Sequence, residues 1–382
     1  MSVKIKHGLG LGLLCVLLTL AACEKAVGSS SDGDGEATGD GAVVDSEQAL
    51  CYDDVGNQIV PPEPGERFYG QDAQYERLQS SYRDNGDGTI TDLNTGLVWQ
   101  QAFAGRMSWF DAEDYAAELE LGGYDDWRLP SVEELTSIAL FSGGMQTMTP
   151  YLDTDYFDFE YPEEPWRVID GQYWSGDYYI GTVFQGDEAA FGFNFADGHI
   201  KAYPTENSPG GGPFEAYVRC VRGTLYGESD FVDNGDGTVT DLTSGLMWQR
   251  ADDGSTYDWE EALAYAEGLE LAGHDDWRLP DAKELQSLVD YSRNNPALDP
   301  IFQLSDDDAW CWSSTTHGDA YNNAVYISFG KGTDYRGTDV HGAGALRSDP
   351  KSGDPDDYPQ GRGPQNDEVR IYNTVLCLRD AD

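Results

Sequence analysis

The feature that most constrains this chain is that it repeats itself. "DNGDGTITDLNTGLVWQ" (Asp84–Gln100) returns as "DNGDGTVTDLTSGLMWQ" (Asp233–Gln249), and "DDWRLP" (Asp125–Pro130) returns unchanged at Asp275–Pro280. "YWSGDYY" (Tyr173–Tyr179) is echoed by "CWSSTTH" (Cys311–His317), and "AYVRCVRG" (Ala216–Gly223) by "NTVLCLRD" (Asn373–Asp380). Four blocks in one order, so far apart, mean two copies of a domain rather than a short solenoid repeat. Each copy is long enough for a core of its own. The pattern predicts domains over 48–225 and 226–382, with the boundary near Tyr226.

Local signals repeat as well. Asn85-Gly86-Asp87-Gly88 and Asn234-Gly235-Asp236-Gly237 favour positive φ and introduce short strands, so each copy begins as a small antiparallel unit. Ser108 and Asp258 are N-cap residues, followed three residues later by Asp111 and Glu261. Trp109, Ala112, Tyr115, Ala116 and Leu119 then form one apolar helical face, matched by Trp259, Ala262, Tyr265, Ala266 and Leu269. The hexapeptide leads from this helix to a second. Ser131 and Asp281 cap that helix, with Glu134 and Glu284 at the reciprocal position. Trp127, Leu129 and Trp277 are predicted to fill the core, and Pro130 to set the chain's approach to the cap. Asp126 with Arg128, and Asp276 with Arg278, pair with each other or cap backbone groups. A catalytic Asp–Arg pair looks the same in sequence, but no nucleophile accompanies it at a shared spacing, which favours a structural role. The fold class expected is α+β, each copy having two helices packed on a mostly antiparallel sheet.

The N-terminus reads as a targeting segment. Lys4 and Lys6 precede an apolar run that ends in Leu20-Ala21-Ala22-Cys23. This predicts a lipoprotein signal peptide over 1–22 with Cys23 as the lipidated residue, and Glu24 points to the outer membrane or cell surface. Residues 23–47, rich in Gly, Ser and Asp, read as a flexible acidic linker. Asp plus Glu number 70 against 23 Lys plus Arg, a net charge of −47. That balance excludes nucleic acid as a partner and disfavours polysulfated glycans.

The ordered set "GDGTVTDLTSGLMWQ", "DDWRLP" before a capped helix, "WSS" and a terminal "VRCVR"-like strand resembles the Lcl C-terminal domain family, also known as DUF1566, in two tandem copies. The resemblance implies a C-type-lectin-like fold and a bacterial envelope module that binds a glycan or a protein. It implies no catalytic residue. "RLP" with an acidic helix start is also similar to formylglycine-generating proteins of the same broad fold. An oxidase is therefore one alternative, and a structural envelope-assembly lipoprotein another. The resemblance further draws attention to the long loop Lys331–Asp367, because related folds place ligand and calcium contacts on such loops. Asp334, Asp339, Asp354, Asp356 and Asp357 are its candidate calcium ligands.

Four cysteines remain after processing: Cys51, Cys220, Cys311 and Cys377. Cys220 and Cys377 occupy equivalent terminal strands, so the repeat favours disulfides Cys51–Cys220 and Cys311–Cys377, which an exported compartment permits. H-E-x-x-H, G-x-S-x-G, P-loop and dinucleotide fingerprints are absent from the sequence, and its five histidines are scattered. The reading is a binding protein rather than an enzyme.

Overall fold

Turn chemistry sets the opening of each repeat. In the computed structural model, which describes residues 41–208 and 210–381, Asn85 Nδ2 donates to the hydroxyls of Thr89 and Thr91, and Asn234 Nδ2 to those of Thr238 and Thr240, all at 2.9 Å. Gly86 and Gly235 hold φ of 75° and 78°, a conformation that costs glycine little. The resulting meanders, Tyr82–Asp84, Thr89–Asp92, Val98–Gln100 and Phe231–Asp233, Thr238–Asp241, Leu246–Gln249, are each closed by the repeat's terminal strand, Val221–Arg222 or Leu378–Asp380.

The helices α1 (Trp109–Glu118), α2 (Val132–Ser137), α3 (Trp259–Glu267) and α4 (Ala282–Gln286) begin at Ser108, Ser131, Asp258 and Asp281, whose side chains accept backbone N–H groups as N-caps do. Trp109 and Trp259 anchor the first helix of each repeat through Nε1–H bonds to Ser175 O and Ser313 O, both 2.9 Å. α2 is short. Ile138 and Ala139 are buried beyond its end, Ala139 bridging to Leu152.

The chain is mixed α+β with more strand than helix, but the repeats do not keep separate sheets. Strands Gln172–Val183, Asp187–Asn194 and Ile200–Pro204 of the first repeat join Trp310–Thr316, Asn323–Ser328 and Ala345–Pro350 of the second in one eight-stranded sheet, which Ala216–Val218 and Ala104–Met107 extend. The seam is the antiparallel pair of third strands, with Ile200 opposite Leu346. Both residues are fully buried in a core that draws on both repeats. Two self-contained modules would have left these apolar strands as open edges, which pairing removes. The described residues accordingly lie in one compact unit. Among them no helix is long and apolar enough to cross a membrane.

The segment before the first repeat corrects two expectations. Its residues 41–47 are not free linker: Val44, Asp45 and Ser46 are buried. Residues from 48 onward, expected to open the first module, instead strap the second. Tyr52 stacks on Tyr321 at 4.3 Å, Gln48 exchanges two hydrogen bonds with the Thr316 backbone, and Tyr75 donates to Glu267. The strap's buried anchor is Asp72, which accepts Ser46 Oγ at 2.7 Å and Thr315 Oγ1 at 2.5 Å. Burial raises its carboxyl to about 7. A raised acid holds its proton more tightly when folded, so its favourable contribution is complete below pH ~4 and lost as pH rises through about 7. Asp72→Asn should therefore gain stability relative to the parent between pH 4.5 and 7.5, read as the difference between their melting temperatures. A constant difference would contradict the assignment.

The disulfides are the third correction. All four cysteines are free and buried. The strap carries Cys51 to the second repeat, beside Lys351 and Asp72, whereas Cys220 packs against the first helix of repeat one. Cys311 bridges to Thr374, but its side chain enters the shared core while Cys377 enters the core of repeat two. Burial pushes the thiols up, to about 11 for Cys51 and about 12 for Cys220.

Candidate functional site

A cleft of about 760 Å³ opens over the seam between the repeats, a size suited to a small-molecule or oligomer segment. One wall is aromatic. Tyr203 stacks on Phe214 at 4.4 Å and 18°, and Trp166, 39% exposed, lies across the Arg106 guanidinium at 4.2 Å. The floor is polar. Strand Ile200–Pro204 supplies Lys201, with His199 just before it, and strand Ala345–Pro350 supplies Arg347 and Ser348. His199 and His317 stack at 4.5 Å, and His317 Nε2 lies 2.9 Å from Asp197 O. Burial lowers both imidazoles below their ordinary range, which keeps them neutral.

The far wall is the end of the long loop. Asp367 fixes it, accepting Arg347 Nη2 at 2.5 Å and lying 3.0 Å from His341 Nε2. Gln365 Oε1 accepts Lys201 Nζ at 2.8 Å. The loop thus does border the site, but not through the five aspartates expected to bind calcium. Asp334 accepts the N–H groups of Arg336 and Thr338, Asp339 accepts Tyr179 OH and two backbone N–H groups, and Asp354 caps a short 3₁₀ turn. Asp356 and Asp357 are exposed. These carboxylates serve separate turns. Among the described residues no group of three or more His, Cys, Asp or Glu is placed to hold a metal ion. The predicted lipidation residue Cys23 lies outside the described residues.

The hexapeptide lies away from the cleft, in the same geometry twice. Trp127 and Trp277 are buried, their Nε1–H groups 3.3 Å from Leu121 O and Leu271 O. Asp126 binds Arg222 and Asp276 binds Arg379, each through two oxygens. Arg128 and Arg278 reach forward instead, gripping the helix-capping carboxylates of Glu134 and Glu284 at 2.6–2.7 Å. Asp and Arg of one hexapeptide therefore do not pair with each other. Each arginine fastens the turn to the helix it precedes.

Sequence reasoning did not find His199, His317, His341, Lys201 or the aromatic wall. Motif spacing carries no trace of them, because they come from different strands and loops of both repeats. One signal was present. His317 stands where the first repeat has Tyr179, and the loops that line the cleft are those where the copies diverge most in length.

The chain belongs to the Lcl C-terminal domain family, which matches residues 88–222 and 237–347. No curated protein and no solved structure matches it.

Proposed function

We propose that this is a lipid-anchored protein of a bacterial envelope, C-type-lectin-like in fold, whose two repeats together build one glycan-binding cleft. The observation that carries the reading is the composition of that cleft: Trp166, Tyr203 and Phe214 on one side, and Gln172, Asn194, Asn323 and Asp319 among its polar groups. Sugar rings offer an apolar face for stacking and a rim of hydroxyls for hydrogen bonds, and a binding site needs both an apolar wall and a few placed polar groups. The Lys4–Cys23 segment supports the lipid anchor, and a long loop bordering the ligand site supports the lectin-like kinship. Binding two modules' worth of surface into one cleft distinguishes this reading from two independent lectin sites.

A glycan array probed with the processed protein tests it. A bound glycan should lose roughly tenfold in affinity for Trp166→Ala and for Phe214→Ala, the scale of one lost aromatic contact, while both variants melt as the parent does. Unchanged affinity in both variants would place the site elsewhere. An array with no binder, alongside capture of an envelope protein through the same residues, would favour an assembly role.

A further inference from the structure

We propose that the ligand's sugar ring carries a carboxylate, as a hexuronate does, and that this carboxylate sits between Lys201 and Arg362. The inference rests on the glycan reading and adds the charge of the sugar. Lys201 and Arg362 both line the cleft. Among the described residues neither forms an ion pair. Lys201 Nζ has Gln365 Oε1 at 2.8 Å, and Arg362 Nη1 has Asn323 Oδ1 at 3.5 Å.

In a chain of 70 carboxylates this is unusual, although Asp197 and Asp367 act on Lys201 from a distance and Asp319 also lines the cleft. Asp367 is held by Arg347 and His341, Asp170 by Arg167, and Asp197 lies 3.2 Å from His199 Nδ1. Burying the Lys201 ammonium is costly, Asp367 and Asp197 offset that cost only from beyond ion-pair distance, and a ligand carboxylate in direct contact would offset more of it. The position of the charge fits a ring acid. Lys201 Nζ lies 5.1 Å from the centre of the Tyr203 ring, beside the aromatic wall. Tyr203 is itself buried beneath Phe214, so a pyranose would rest its apolar face on Phe214 or Trp166 and direct a carboxylate on its C5 towards Lys201. The net charge of −47 argues against densely sulfated chains, which the whole surface repels. One carboxylate per ring, met inside a cleft, is a lighter demand.

The test uses oligomers of galacturonate, glucuronate and mannuronate together with their methyl esters, which differ only in charge at the carboxyl. Titration calorimetry on the processed protein should find at least one acid oligomer that binds, with its ester at least about tenfold weaker, the worth of a charge-assisted hydrogen bond. Lys201→Met should reduce the acid to the affinity of its ester without altering the ester, and Lys201→Arg should restore most of it. Melting curves confirm that the variants are folded. Esters that bind as tightly as acids would overturn the carboxylate subsite while leaving the glycan reading intact. Acid affinity unchanged in both Lys201→Met and Arg362→Gln would overturn its location. Equal binding of tetraglutamate would assign the carboxylate to a peptide and overturn the uronate. If no saccharide binds, acid or neutral, the glycan reading fails and this inference falls with it.

Discussion

Glu284→Ala is expected to destabilise the protein by about 3–5 kcal/mol, the usual result of removing one partner from a buried ion pair. Glu284 is fully buried and serves three groups at once. It accepts both Nη groups of Arg278, the Asp281 N–H that completes the capping box of α4, and lies 2.7 Å from Arg77 Nε of the strap. Truncation would strand the Arg278 guanidinium and one backbone donor and leave Arg77 with only the exposed Asp380. The equivalent Glu134→Ala should cost less. Arg128 is 30% exposed against 7% for Arg278, so water can solvate it once its partner is gone. Urea denaturation of both variants measures the asymmetry. Equal losses would mean that the strap arginine adds nothing at Glu284.

Trp277→Ala should cost a similar amount, about 3–5 kcal/mol, through lost contacts and the cavity left behind. Trp277 is buried among Trp259, Trp310 and Trp312 in the core of the second repeat. Trp127→Ala should act likewise in the first, where Trp109 and Trp174 surround it. The form of the transition matters as much as its size. The repeats share a sheet and a core, so either substitution should lower one cooperative transition followed by any probe. Calorimetry resolving two transitions, with only one displaced, would show that the repeats unfold separately despite the seam.

What the sequence disclosed was what contiguous residues encode. The Asn-Gly-Asp-Gly turns, the caps at Ser131 and Asp281 and the burial of Trp127 and Trp277 each depend on a few neighbours, and each was legible twice. The partner of Arg128 was harder. Glu134 lies six residues on, too far for a helical neighbour, and only the turn at Pro130 folds the arginine back to it. The cysteines misled for a related reason. Equivalence of Cys220 and Cys377 suggested that both lie on terminal strands; each instead sits one residue before one, Val221–Arg222 or Leu378–Asp380, with its N–H bonded to Gln100 or Gln249. It could not say which core each side chain enters, nor that the strap takes Cys51 to the other repeat. The cleft was least legible. It exists only because Ile200–Pro204 and Ala345–Pro350 meet edge to edge, and no spacing within either strand announces that pairing. The three histidines near it looked scattered because the sequence separates what the seam unites.

The number of ligands bound per chain tests the central claim most directly. Two independent modules would offer two sites, whereas one cleft made jointly by His199 and Lys201 from the first repeat and His317 and Arg347 from the second offers one. Titration calorimetry with the strongest binder from the array should give one ligand per chain, abolished alike by substitutions on either side of the seam. Two equivalent sites per chain, each lost with its own repeat, would contradict the account.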